Sequence, residues 1–221
     1  MTAMRPPIGA LLAVLFVAAC GGAATPSTAP APTATAPGTA GPVAQGTWSV
    51  GDTSKATVRV REQLVGVSAP SDAVLVATGA TGSFTLNVDG TFTSDSKISF
   101  DLTTLTSDQR DRDRFIKMDT LRTSQFPKAE LVPTKISGTV PASGDFTLTL
   151  SGKVTIHGTT KDVTFDVLGK RDGANLTATA TANPTWRFAD FGMTAPSVPF
   201  RVVSLVDEIK VVVDLVATAK G

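Results

Sequence analysis

The chain has 221 residues, a formal net charge of +1 and only 18% charged residues. That balance gives no electrostatic reason to expect nucleic acid or an acidic partner. One histidine, one cysteine and no tyrosine leave little for metal or nucleophilic chemistry: a zinc site usually takes several His or Cys ligands, and a lone cysteine closes no disulfide within the chain.

Arg5 supplies a short positive start, and Ile8 to Ala19 is then apolar. About a dozen such residues make the core of a signal peptide but are too few for a membrane span. The run ends in Val17-Ala18-Ala19-Cys20-Gly21-Gly22, which resembles a bacterial lipobox. The resemblance implies a lipoprotein signal peptide over residues 1–19. It also implies that Cys20 becomes the first mature residue and receives a diacylglyceryl thioether and usually an N-acyl chain. Several acyl chains, at about 0.8 kcal/mol per buried CH₂, hold a membrane stably where one does not. The plainer alternative is an ordinary signal peptide cut nearby, which leaves Cys20 a free thiol. Gly21 to Gln45 is almost entirely Ala, Pro, Thr, Gly and Ser, without charge or aromatic residue. Such a segment buries too little apolar surface to offset its ordering entropy. Residues 20–45 therefore read as an acylated cysteine plus a disordered spacer, with a reach on the order of 75 Å if extended.

A folded domain is expected from residue 46 to 221. Trp48-Ser49-Val50 opens it, and Thr57 to Arg61 alternates as a strand. Ser68 to Asp72 reads as a loop, and Ala73 to Ala77 as an apolar strand. Gly82, Phe84, Leu86 and Val88 alternate up to an Asp89-Gly90 turn, and Ile98, Phe100 and Leu102 alternate again. The period then changes. Ser107-Asp108-Gln109 can cap a helix over Arg110 to Leu121, with Phe115, Met118 and Leu121 on one face. Phe126-Pro127 ends it, because the residue before proline avoids the helical region. Ala129, Leu131 and Ile136 form a strand in which Pro133 signals an edge or a bulge. The clearest unit follows. Phe146, Leu148, Leu150, Val154 and Ile156 lie on one face, His157-Gly158-Thr159-Thr160 turns the chain, and Val163, Phe165 and Val167 return. Leu176, Ala178, Ala180 and Ala182 alternate with threonines; Asp190 to Met193 is a loop; Ile209, Val211, Val213 and Leu215 close the domain.

These are about eight antiparallel strands with short connections and one short helix. Closing them into an up-and-down barrel removes the exposed edges. Eight strands enclose either packed side chains or one small ligand. The small inward residues Ala178, Ala180 and Ala182 leave space unless bulky residues oppose them, and periodicity leaves both arrangements open.

Four stretches in order resemble the YceI-like lipid- or polyisoprenoid-binding domains. They are Trp48-Ser49-Val50 through Ser54 to Val60; Arg112-Asp113 with Phe115-Ile116 and Phe126-Pro127; Leu150 to Lys161; and Asp190-Phe191-Gly192-Met193 followed by Val206-Asp207-Glu208-Ile209. The resemblance covers about Thr47 to Thr218. It implies a lipocalin-like antiparallel barrel of the cell envelope with a long apolar chain such as an isoprenoid inside. Two departures stand out. The family often has an arginine two residues before the Asp of Asp190-Phe191-Gly192, where this chain has Phe188 and carries Arg187 one place earlier. The spacing from Arg112 to Pro127 is also one residue short, so head-group contacts of that region are not carried over.

Alternation then marks the candidate ligand-binding interior: Phe84, Leu86, Ile98, Phe100, Leu102, Phe146, Leu148, Phe165, Ala178 and Ala180, with Phe115 added from the helix. Arg112 and Arg114 are the candidate head-group contacts, although alternating charges over Arg110 to Arg114 more often mark a solvated, self-paired face. His157 lacks the nucleophile and orienting acid that catalysis needs and reads as a turn residue. The expected function is that of an exported envelope lipoprotein, held to the extracytoplasmic side of a membrane through Cys20, whose barrel binds or carries a long-chain isoprenoid or similar lipid. It is not expected to be an enzyme, to need a cofactor or metal, or to bind nucleic acid, and no motif specifies a protein partner. The alternative is a structural or interaction lipoprotein with a filled core.

Overall fold

A computed structural model describes residues 45–197 and 201–220. The expected leader, Cys20 and all of the expected spacer except Gln45 lie outside the described residues. Ten strands occur among them: β1 Gly46–Val50, β2 Lys55–Leu64, β3 Ser71–Ala77, β4 Thr81–Leu86, β5 Lys97–Asp101, β6 Lys128–Gly138, β7 Gly144–Ile156, β8 Thr159–Asp172, β9 Asn175–Ala182 and β10 Val202–Ala219. The order β1-β4-β5-β6-β7-β8-β9-β10 closes on itself through a β1–β10 pairing, so the fold is an antiparallel β-barrel. β10 pairs with β9 on one edge. Its other edge carries β2 over Val202–Asp214 and then β1 over Ala217–Ala219. β1 and β2 thus act as one broken strand. So do β3 and β4, which pair with β2 and β1 respectively. Eight positions around the barrel result, two of them filled by broken strands.

The break between β1 and β2 exposes the backbone of Val216 on β10, and Ser54 repairs it. Its hydroxyl accepts from the Val216 N–H at 2.9 Å and donates to the Val216 carbonyl at 3.1 Å. Gly51 N–H donates to the same carbonyl at 2.7 Å. Ser54 is fully buried, so one hydroxyl stands in for a missing ladder residue.

Elsewhere the alternation reads directly into register. β7 and β8 pair without interruption from Gly144↔Arg171 to Ile156↔Thr159. His157 and Gly158 both have positive φ, 51° and 74°, the geometry of a two-residue type I′ turn. A Cβ at Gly158 would also lie 2.8 Å from Phe126 Cε1, so only glycine fits. Pro133 marks a bulge and not an edge: β6 is paired on both sides, and its register with β7 shifts between Pro133 and Lys135. Two strand ends fall earlier than alternation suggests. β4 stops at Leu86 and leaves Val88 exposed in the turn; β5 stops at Asp101, and Leu102 opens a 3₁₀ turn. There the Asp101 carboxylate accepts from the N–H and hydroxyl of Thr103.

The helix is present but its face differs. α1 spans Arg110–Phe115 and passes into a π turn, Ile116–Thr120, where Leu121 N–H donates to the Ile116 carbonyl at 2.8 Å. The wider turn changes the phase that a 3.6-residue period assumes. Ile116, Thr120 and Leu121 face the barrel, Phe115 is half-buried, and Met118 is 67% exposed.

One end of the barrel is filled. Trp48 stacks on Phe84 at 5.6 Å, and Phe92 meets Phe84 edge-on at 6.1 Å. Leu86, Ile136, Leu148 and Leu176 are buried in the same core. The Arg171 guanidinium covers Trp48, 5.3 Å from the ring centroid, a favourable cation–π geometry.

Ser54→Ala should lower stability by about 1–3 kcal/mol by leaving the Val216 N–H without its partner. Urea titration checks this, with Ser49→Ala, on the neighbouring strand, as the control that should stay near wild type.

Candidate ligand cavity

The half of the barrel away from the aromatic plug is hollow. It holds a cavity of about 210 Å³ whose surface is wholly apolar. The walls are inward residues of the strands: Val58 and Val60 of β2, Ile98 and Phe100 of β5, Leu150 and Val154 of β7, Phe165 and Val167 of β8, and Val211 and Val213 of β10. Ala178 and Ala180 of β9 form the thin part of the wall. A void lined this way stays dry, since it offers water no polar partners.

Two connections roof it. The first, between β5 and β6, contributes Leu102, Leu105, Ile116 and Leu121. The second, between β9 and β10, contributes Trp186, Phe188, Phe191 and Met193. Trp186 is tied to Ile209 by backbone bonds in both directions, at 3.0 and 2.7 Å. Its ring meets Phe165 at 5.9 Å and Phe191 at 5.3 Å, both edge-on. Phe188 and Phe191 lie on a 3₁₀ turn held by two carboxylates. Asp207 accepts from Phe188 N–H at 3.0 Å; Asp190 accepts from Arg187 N–H at 2.8 Å and pairs with Lys161 of β8. The Lys161 hydrogen bond first, and the Arg187 N–H next, hold the Asp190 carboxyl below the usual carboxylate range. Asp207 reaches Phe188 because the register of β10 on β2 shifts between Leu205 and Ile209.

Of the residues singled out by alternation, Ile98, Phe100, Leu102, Phe165, Ala178 and Ala180 line the cavity. Phe84, Leu86 and Leu148 are inside the barrel but belong to the packed core outside its lining. Phe146 is half-buried, its ring against the backbone of Gly169. Phe115 lies outside the barrel, in a groove beside α1. Alternation did not reveal Trp186, Phe188, Phe191 and Met193, because they sit on a connection with no period. The Asp190-Phe191-Gly192-Met193 motif was the signal for them.

Arg112 and Arg114 are both paired within the chain. Arg112 Nη2 donates to Glu62 Oε1 at 2.6 Å and Nη1 to Asp108 Oδ1 at 2.6 Å, and its side chain is only 16% exposed. Glu62 follows Val58 and Val60 on the inward face of β2 and is 5% exposed. A carboxylate so buried needs its partner, so Arg112 pins α1 to the barrel wall. Arg114 pairs with Asp111 at 3.2 Å in solvent. His157 sits in the hairpin turn, its ring edge-on to Phe126 at 4.8 Å. Among the described residues no group of three or more His, Cys, Asp or Glu is placed to hold a metal ion.

The model of the YceI-like domain matches residues 50–217 of this chain. The chain belongs to the YceI-like family. Among curated proteins, a UPF0312 protein of Pseudomonas putida is 35% identical over 136 residues, which covers 53% of this chain and 66% of the relative. One of Pseudomonas fluorescens is 33% identical over a match of the same extent. Solved structures share the YceI-like fold at lower identity. A polyisoprenoid binding domain from Saccharophagus degradans has a TM-score of 0.60 at 12% identity, over 78% of this chain and 98% of that one. BcnA of Burkholderia cenocepacia has a TM-score of 0.55 at 16% identity, over 75% and 96%.

The roof should loosen in acid. Because Asp190 has a folded pKa below its unfolded value, its contribution is present above about pH 4 and lost as pH falls through the folded value. Asp190→Asn should therefore be less stable than wild type at neutral pH and lose less stability between about pH 5 and about pH 2. Urea midpoints of both proteins across that range check it; parallel curves would contradict the role given to this carboxylate.

Proposed function

We propose that this YceI-like barrel binds a long apolar lipid, such as a polyisoprenoid, with chain inserted in the cavity. The observation that carries the reading is the void with a wholly apolar surface at one end of an otherwise packed barrel. Interiors normally pack to near crystal density, so a void of this size is conspicuous. A hydrocarbon entering it gains about 25 cal/mol per Å² of apolar surface buried, less the cost of ordering. The description of the Saccharophagus degradans neighbour as polyisoprenoid binding supports the same class of ligand. Phe188 adds a restriction. It fills the place where the family often has an arginine and it lines the cavity, so no cation meets the inserted end. The inserted part is the hydrocarbon, with any anionic head left outside. The chain works in this reading as a binding or carrying module.

The protein is further proposed to be an exported envelope lipoprotein. Ala18-Ala19-Cys20, the uniqueness of that cysteine and the uncharged spacer after it support this. Acylated Cys20 would hold the barrel on the extracytoplasmic side, within reach of membrane lipid.

Ala180→Phe separates a binding barrel from a filled one. In a hollow barrel the ring occupies the void, prenol binding falls, and the melting temperature barely changes. In a filled core the same change overpacks and costs about 1–3 kcal/mol. Titration with a prenol and thermal melts of this variant decide, alongside mass spectrometry of solvent extracts from protein purified without detergent. A marked drop in melting temperature with no lipid bound to wild type would favour the structural lipoprotein.

The anchor has its own test. Wild-type protein should sediment with membranes and Cys20→Ala should not. A soluble wild-type protein with an unmodified thiol would contradict acylation.

A further inference from the structure

The cavity alone is too small for the ligand proposed. At about 210 Å³ it falls below the roughly 300–1,000 Å³ of pockets that hold drug-sized molecules, and a long isoprenoid is larger than those. Beside it lies an open groove of about 770 Å³, between the β2–β3 loop, α1 with its π turn, and the start of β10. Cavity and groove share Val60, Leu75, Ile116 and Phe188 as lining. The partition is therefore a single layer of side chains. Ile116 and Phe188 belong to the two roof connections, outside any strand, so they can part without breaking a ladder of the barrel.

On its outer side the groove holds large apolar side chains in water. Met118 is 67% exposed, Val65 53% and Val67 47%, and half-buried Phe115 lies among them. Of the groove's charged groups, Arg114 and Arg201 both meet Asp111 in solvent, at 3.2 and 3.6 Å, and Arg112 neutralises the buried Glu62 at 2.6 Å. Large apolar side chains gathered in the open among paired charges mark a binding surface.

We propose that the groove is the outer half of one apolar-chain site. The end of the chain fills the cavity, the chain passes between Ile116 and Phe188, and the remainder lies along Phe115, Met118, Val65 and Val67 with its polar end in water. The occupant is thus the same linear lipid, and the inference rests on the lipid-binding reading above.

Two prenols of different length test it on the full chain: farnesol, and solanesol, which is three times as long. Val67→Asp/Met118→Asp places carboxylates on the groove floor at positions already about half or more exposed; melts confirm that the variant folds, and Val67→Ser/Met118→Ser replaces it if it does not. Binding is read by native mass spectrometry and from tryptophan fluorescence; of the two tryptophans, Trp186 lines the cavity and Trp48 lies outside its lining. The expected result is solanesol affinity down about tenfold or more, as burying charge beside the chain requires, with farnesol affinity unchanged. Ala180→Phe should weaken both. If wild type binds both prenols and the groove variant changes neither, or both alike, the groove is not part of the site and the cavity reading stands. If wild type binds farnesol but not solanesol, the groove proposal also falls. If wild type binds neither, the lipid-binding reading falls and the groove with it.

Discussion

Closure at β10 is the constraint on which the rest depends. An eight-position barrel has no free edge, but only if its last strand finds the first. β10 meets two different strands on one edge in succession, β2 and then β1. At the change-over the N–H of Val216 would be left without a strand partner. The buried Ser54 hydroxyl, bonded to both N–H and carbonyl of Val216, makes the change possible. With the ring closed there, β2 and β3 wall the hollow end while β1 and β4 wall the packed one.

The two ends differ by residue size. Trp48, Phe84 and Phe92 fill one. At the other, Ala178 and Ala180 leave the wall thin, and larger side chains opposite do not take up the room. The roof then decides what can enter. It is built from two connections held by polar anchors: Asp190 and Asp207 behind the 3₁₀ turn, and the Arg112–Glu62 pair under α1. Each anchor keeps its charge outside the lining, so the roof is polar where it is fastened and apolar where it faces the void. Phe188 completes that separation.

The charge run over Arg110 to Arg114 shows how pairing depends on distance in space. Alternating signs within one turn suggest a self-paired, solvated face. Arg114 follows that rule with Asp111. Arg112 does so only in part: it takes Asp108 one turn back, and also Glu62, fifty residues away on β2. Glu62 has the parity of Val58 and Val60, so its inward direction was readable. The cation that makes a buried carboxylate tolerable there was not.

The sequence by itself determined the antiparallel class, the central hairpin with its His157-Gly158 turn, the bulge at Pro133 as one of two possibilities, and the inward faces of nearly every strand. Side chains alternate along an extended backbone, so burial of one face writes itself into period two. The same rule placed Ile98, Phe100, Phe165, Ala178 and Ala180 around a common interior. Only the tertiary structure decided which part of that interior is empty, because a void depends on how residues distant in sequence oppose each other. It also decided the face of the helix, where the π turn sets Ile116 inward beside the expected Leu121, in place of Phe115 and Met118, and it gathered Trp186, Phe188, Phe191 and Met193 into a roof. Connections carry no period, and their direction is fixed by hydrogen bonds between residues distant in sequence, such as Phe188 N–H to Asp207.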